Sequence, residues 1–95
     1  MSNIDPNTLF AQRTAQTGIV DVREADEFAT GHVDGAINIP LSDIVARHRE
    51  IPDGAYLICQ TGSRSAMATE FLNQNGHHVN NILGRTSAWP QALEV

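Results

Sequence analysis

Cys59 is the only cysteine in the chain, and it ends the apolar run Ala55-Tyr56-Leu57-Ile58. The polar stretch Gln60-Thr61-Gly62-Ser63-Arg64-Ser65 follows, ahead of a helical pattern. A cysteine that finishes an apolar strand is commonly a small core hydrophobe. The residues after it argue for a different role. Gly62 permits a positive φ, so successive amides can turn inward as an anion-binding nest. The start of a helix presents unpaired N–H groups and the positive end of its dipole. That environment lowers a thiol pKa and generates the thiolate, which is the nucleophile. Ser63 and Ser65 offer hydroxyl donors and helix caps. Arg64 offers a fixed charge and a fork that fits a sulfur or phosphorus oxyanion.

Other side chains able to do chemistry read more plainly. Asp21 and Arg23 straddle a strand end and are expected to form an ion pair that organises the loops. The functional alternative has Asp21 orienting Arg64 or the loop amides. His32 falls in a turn, where a structural hydrogen bond is expected rather than base catalysis. His77 and His78 follow Gly76 at a helix end. Adjacent histidines do not point the same way on a strand, and no third ligand accompanies them, so no metal site is expected. His48 is expected on a helix flank.

These residues need elements to place them. Asp5-Pro6 reads as an N-cap followed by proline at the first helical position, with Leu9 and Phe10 inward. Gly18 breaks that helix, and Ile19 to Val22 is a β-branched strand. Glu24 to Thr30 is a short helix, acidic in its first turn and stopped by Gly31. Ala36 to Ile39 is a brief strand ended by Pro40. Leu41, Ile44, Val45 and His48 recur at helical spacing. Pro52-Asp53-Gly54 is a turn, and Tyr56 to Cys59 is the next strand. Ala66 to Asn75 reads as a helix with Met67, Ala68, Phe71 and Leu72 as its core face. Val79 to Leu83 is a last strand, followed by a helical turn near Ser87 to Leu93, with Trp89 packed inward. Strands and helices alternating at this spacing imply an α/β fold with a mostly parallel sheet covered on both faces. In such sheets ligands bind beyond the carboxyl ends of the strands, where the Cys59 loop falls, with Arg23, Asn38 and the Gly84-Arg85 turn.

Composition narrows the function. A chain of 95 residues is expected to form one domain, residues 1–95, and its 41% hydrophobic content suits a modest core. A net charge of −5 disfavours nucleic acid or an anionic membrane as partner. All six cations are arginine, which excludes lysine Schiff-base chemistry. One cysteine allows no internal disulfide and no resolving thiol. The N-terminus lacks the features of a signal peptide, and no apolar run approaches a membrane span. A cytoplasmic address follows, where a free thiol stays reduced. No cofactor is expected.

Three motifs carry a resemblance. Cys59-Gln60-Thr61-Gly62-Ser63-Arg64-Ser65 resembles the active-site loop of the rhodanese family of sulfurtransferases. Asp21-Val22-Arg23-Glu24 with Glu27-Phe28, Gly31-His32-Val33, Gly35-Ala36 and Asn38-Ile39-Pro40 resembles its N-terminal signature. Leu83-Gly84 with Ala88-Trp89 resembles its C-terminal one. They occur in the family's order from Asp21 to Trp89. The resemblance implies a rhodanese-like three-layer fold, with a central sheet of about four to five strands between helices. It implies that Cys59 takes the outer sulfur of thiosulfate or a persulfide donor and passes it to cyanide or a thiol acceptor, which could be a thiol protein. The amides of Gln60, Thr61, Gly62, Ser63, Arg64 and Ser65 would cradle the persulfide, and Arg64 would fix the loop and draw in the anion. The family usually has two glycines after the last strand. Here the second is Arg85, expected as an added cation at the catalytic edge.

Two other readings stand beside this one. A rhodanese-like module without activity would bind a partner protein or sense an anion, although such modules commonly lose the cysteine. The related cell-cycle phosphatases and arsenate reductases use a longer loop sized for a tetrahedral oxyanion. Here only four residues separate Cys59 from Arg64, a tighter ring that suits a single sulfur atom.

Overall fold

The computed structural model describes residues 2–84, 86 and 89–95. Five short strands form one sheet: β1 (Ser2–Ile4), β2 (Ile19–Asp21), β3 (Ile37–Asn38), β4 (Tyr56–Ile58) and β5 (Asn80–Ile82). Their spatial order is β1-β5-β4-β2-β3, and every pairing is parallel. Parallel neighbours need crossover connections, and helices supply most of them: α1 (Pro6–Gln12), α2 (Ala25–Ala29), α3 (Ile44–Arg47) between 3-10 turns, and α4 (Ser63–Gln74).

Alternation along the strands builds two cores, one on each face of the sheet. Val20, Leu57 and Cys59 point to one side, where they pack with Ile44, Ala68 and Leu72 from α3 and α4. Ile19, Ile58 and Ile82 point to the other, against Leu9 of α1, Val33 and Trp89. The three-layer α/β architecture read from the sequence is the one observed. Among the described residues no helix is long and apolar enough to cross a membrane.

Several local expectations need correction. Strand β1 was not foreseen: three residues of mixed polarity carry no periodicity, and their pairing with β5 is set by the fold. The first helix starts as expected, with the Asp5 carboxylate accepting from the amides of Asn7 and Thr8 at 3.0 and 3.2 Å. Phe10, however, lies at the surface, 40% exposed, edge-on to Trp89. Helix α4 begins at Ser63, earlier than Ala66, because the polar loop itself winds into its first turn. Met67 is 62% exposed on the outer side of α4, since the sheet receives only the stripe that holds Ser65, Ala68, Thr69 and Leu72. The turn expected near Ser87 to Leu93 lies partly outside the described residues. From Trp89 to Val95 the chain is not helical, and Glu94 instead bridges antiparallel to His32.

Candidate active site

Strand β4 ends by delivering Cys59 to the N-terminus of α4. Gly62 takes the N-cap position at φ 90°, the left-handed region that favours glycine. No side-chain oxygen from the N-cap residue caps this helix. The cysteine sulfur does the work instead. The amide of Gly62 donates to Sγ at 3.0 Å, and the amide of Ser65, third residue of the helix, donates at 3.3 Å. Helix-start amides that need an acceptor therefore find sulfur.

Ser65 contributes twice. Its Oγ lies 3.4 Å from Sγ and 3.2 Å from the Gly62 carbonyl oxygen. A hydroxyl has one proton. When the thiol is neutral, S–H donates to Oγ and O–H donates to the carbonyl. When sulfur is ionised, the hydroxyl proton can turn to it. Cys59 is fully covered, at 0% exposed. Burial pushes its pKa up, but the Ser65 hydroxyl and the amides of Ser65, Thr61 and Gly62 outweigh this and leave it lowered. The thiol is thus buried, as a core cysteine would be, while the amides around it point at sulfur instead of pairing within a strand or helix ladder.

The rest of the loop is tied in. Thr61 Oγ1 and Ser63 Oγ share a hydrogen bond at 3.0 Å, and Gln60 faces solvent. The hydroxyl of buried Thr86 donates to the Cys59 carbonyl oxygen at 3.3 Å, tying the segment after β5 to the end of β4. The Gly84 backbone passes close to Gly62, where an added Cβ would lie 3.4 Å from its carbonyl oxygen.

Arg64 does not close the ring over the sulfur. Its guanidinium turns to Glu27 in the first turn of α2 and donates to both carboxylate oxygens, at 2.7 and 3.0 Å. That pair pulls the Glu27 pKa down to about 2, through the Arg64 hydrogen bonds first and the Glu24 amide second. Arg64 is raised chiefly by Glu27, with the Cys59 charge a smaller contribution. A bidentate pair is the strongest contact an arginine makes with a carboxylate, which explains why the side chain leaves the loop. Glu27 also accepts from the Glu24 amide at 3.0 Å, half of a capping box that opens α2. In the sequence, Glu27 shows only as an acidic first-turn residue and a motif position.

Asp21 and Arg23 form a buried ion pair, with Nη2 to Oδ2 at 2.8 Å and side-chain exposures of 0% and 4%. Arg23 also donates to the Gly31 carbonyl at 2.7 Å, and Asn38 donates to the carbonyls of Asp21 and Arg23. This network knits β2, β3 and the start of the α2 segment into the floor beside the cradle. Asp21 meets Arg23 and not Arg64. His32 bonds the Phe28 carbonyl through Nδ1 at 3.0 Å and stacks on that ring. His48 and His77 meet ring to ring, Nδ1 to Nε2 at 2.9 Å, a pairing the sequence had not suggested. No cluster of three or more metal-ligating side chains occurs among the described residues. Arg85 lies outside the described residues.

A parallel α/β sheet that ends one central strand in a thiol, held by the first amides of the next helix, defines a class of cysteine-loop enzyme scaffolds. The model of the Rhodanese-like domain family matches residues 7–92. The chain belongs to the rhodanese-like sulfurtransferase family. It is 42% identical over 74 residues to the uncharacterized protein YqhL of Bacillus subtilis, covering 75% of this chain and 59% of YqhL. It is 35% identical over 95 residues to a sulfurtransferase of Allochromatium vinosum, covering 94% of this chain and 88% of that relative. The crystal structure of SSP1007 from Staphylococcus saprophyticus superposes with a TM-score of 0.90 at 32% identity, over 100% of both chains.

Proposed function

We propose that the protein is a sulfurtransferase that carries sulfane sulfur as a persulfide on Cys59. The donor is thiosulfate or the persulfide of a thiol, and the acceptor is cyanide or a thiol, including one on a partner protein. One observation carries this reading: the amides of Gly62 and Ser65 converge on Sγ at 3.0 and 3.3 Å. Donors arranged in this way favour the charged sulfur over the neutral one.

The step asks little acid–base chemistry of the protein. With thiosulfate, the Cys59 thiolate attacks the outer sulfur, the bond from that sulfur to the sulfonyl group breaks, and sulfite leaves as a dianion. No proton moves. The new persulfide ends on a sulfur one bond further out, which the loop from Gln60 to Ser65 would cradle. The acceptor then removes that outer sulfur and restores the thiolate. A free thiol that cycles in this way suits a reducing compartment such as the cytoplasm.

The test is to incubate the protein with thiosulfate or an organic persulfide and weigh it intact. A gain of the mass of one sulfur atom, absent in Cys59→Ser and reversed by cyanide, is expected. No adduct with either donor, or turnover of an aryl phosphate in its place, would refute the proposal.

A further inference from the structure

Both cations that flank the cradle in the described structure are already paired. Arg23 is buried against Asp21, and Arg64 is held in a fork by Glu27. The start of α2, which reaches the loop through Glu27, carries the carboxylates of Glu24 and Glu27. Of these, Glu24 accepts only from its own helix and from the Ser42 hydroxyl at 3.4 Å. Among the described residues, both of these arginines are therefore paired, while the Glu24 carboxylate has no cationic partner. Leu83 is 46% exposed and adjoins Gly84, whose backbone lies against Gly62.

The two donor classes make different demands on such a site. Thiosulfate brings a dianion up to a thiolate, so three negative charges share the cradle, and the leaving sulfite keeps two of them. An organic persulfide RS–SH reacts with one. The thiolate attacks the outer sulfur, the RS–S bond breaks as the Cys59 S–S bond forms, the proton stays on the transferred sulfur, and RS⁻ leaves. The total charge is −1 throughout that step.

From this we infer that Glu27 is a specificity-determining residue: by neutralising Arg64 it biases the site toward the persulfide of an organic thiol and against dianionic thiosulfate. The inference rests on the sulfur-transfer reading above. Glu27 touches no substrate in this account and acts through Arg64. Glu27→Gln isolates the charge, because glutamine keeps an oxygen for the Glu24 amide and for one arginine N–H.

The experiment measures the second-order rate of sulfur loading on Cys59 by intact mass, with thiosulfate and with the persulfide of 2-mercaptoethanol as donors. The quantity read is the ratio of the two rates, in which a general loss of loop order cancels. Wild-type protein is expected to load faster from the organic persulfide. Glu27→Gln is expected to raise the thiosulfate-to-persulfide ratio about fivefold, the upper range for a part-exposed charge. The gain should fade as salt rises. Glu27→Asp keeps the charge and should leave the ratio close to wild type. A wild-type preference for thiosulfate overturns the inference, and this needs no variant to fold. So does an unmoved ratio in Glu27→Gln, or an equal rise in Glu27→Asp. Loading by neither donor removes the sulfur-transfer reading and this inference with it, whereas loading by both with an unmoved ratio removes only the role of Glu27.

Discussion

Replacing Ser65 with alanine should raise the pKa of Cys59 by about one pH unit. The hydroxyl is one of the groups that hold the thiolate, and Sγ lies 3.4 Å away, long for a hydrogen bond. A hydrogen bond to a charged partner contributes about 1.5 to 3 kcal/mol, and this distance points to the low end. One pH unit corresponds to about 1.4 kcal/mol of preference between the two protonation states. Burial, which raises the pKa, is unchanged by the substitution, so the balance moves only upward. The Ser65 amide stays in place, so part of the depression survives. The assay is the thiolate ultraviolet absorbance as a function of pH, which has a single source because the chain holds one cysteine. A midpoint that stays put or moves down would show that the hydroxyl serves the Gly62 carbonyl alone, and that the amides hold the charge without it. Loading with sulfur at pH values well below both midpoints should slow in the variant by about tenfold, in step with the lost thiolate fraction.

Two further substitutions probe the support of the site. Asp21→Ala leaves the Arg23 guanidinium buried without its carboxylate and should cost about 3 to 5 kcal/mol, a large share of the stability of a domain this size, read by urea unfolding; a loss below about 1 kcal/mol would show that the pair is not desolvated. Gly62→Ala should cost about 1 to 2 kcal/mol through its positive φ, lowering the melting temperature by roughly 4 to 16 °C, while its new Cβ meets the Gly84 carbonyl only at an ordinary 3.4 Å. An unchanged melting temperature would mean that the left-handed turn is not required, and the Cys59 pKa should then also be unmoved.

The parts of this molecule that could be read from its sequence are those whose signals are local. Asp5-Pro6 announced a helix start, Gly62 announced a left-handed turn, and apolar runs between turn residues gave four of the strands. Cys59 stood out because its polar successors make no sense as a core strand. The parts that could not be read depend on distant partners. Arg64 was identified as a cation near the thiol, but its companion Glu27 lies 37 positions away. A residue type states what charge is present and not where it is spent. His48 and His77, 29 positions apart, are a second case. Helical spacing alone places Phe10 and Met67 inward. A short helix on a five-stranded sheet buries one narrow stripe, and apolar residues beside that stripe remain outside.

The burial of Cys59 is the observation that weighs most directly against a chemical role, so the arrangement of its neighbours has to answer it. A cysteine buried only to fill space asks for no hydrogen bonds, and donors aimed at it would lose water for a weak acceptor in return. Here Gly62 and Ser65 aim their amides at sulfur at the one place in the helix where amides lack carbonyl partners. If sulfur were neutral, these donors would be poorly satisfied; ionised, it accepts both and also meets the positive end of α4. The need of the helix for a cap and the need of the reaction for a thiolate are met by the same atom. In the proposed reaction, folding stability and nucleophile activation are therefore coupled at Cys59, where amides and a hydroxyl surround the sulfur while the Arg64 guanidinium pairs with Glu27.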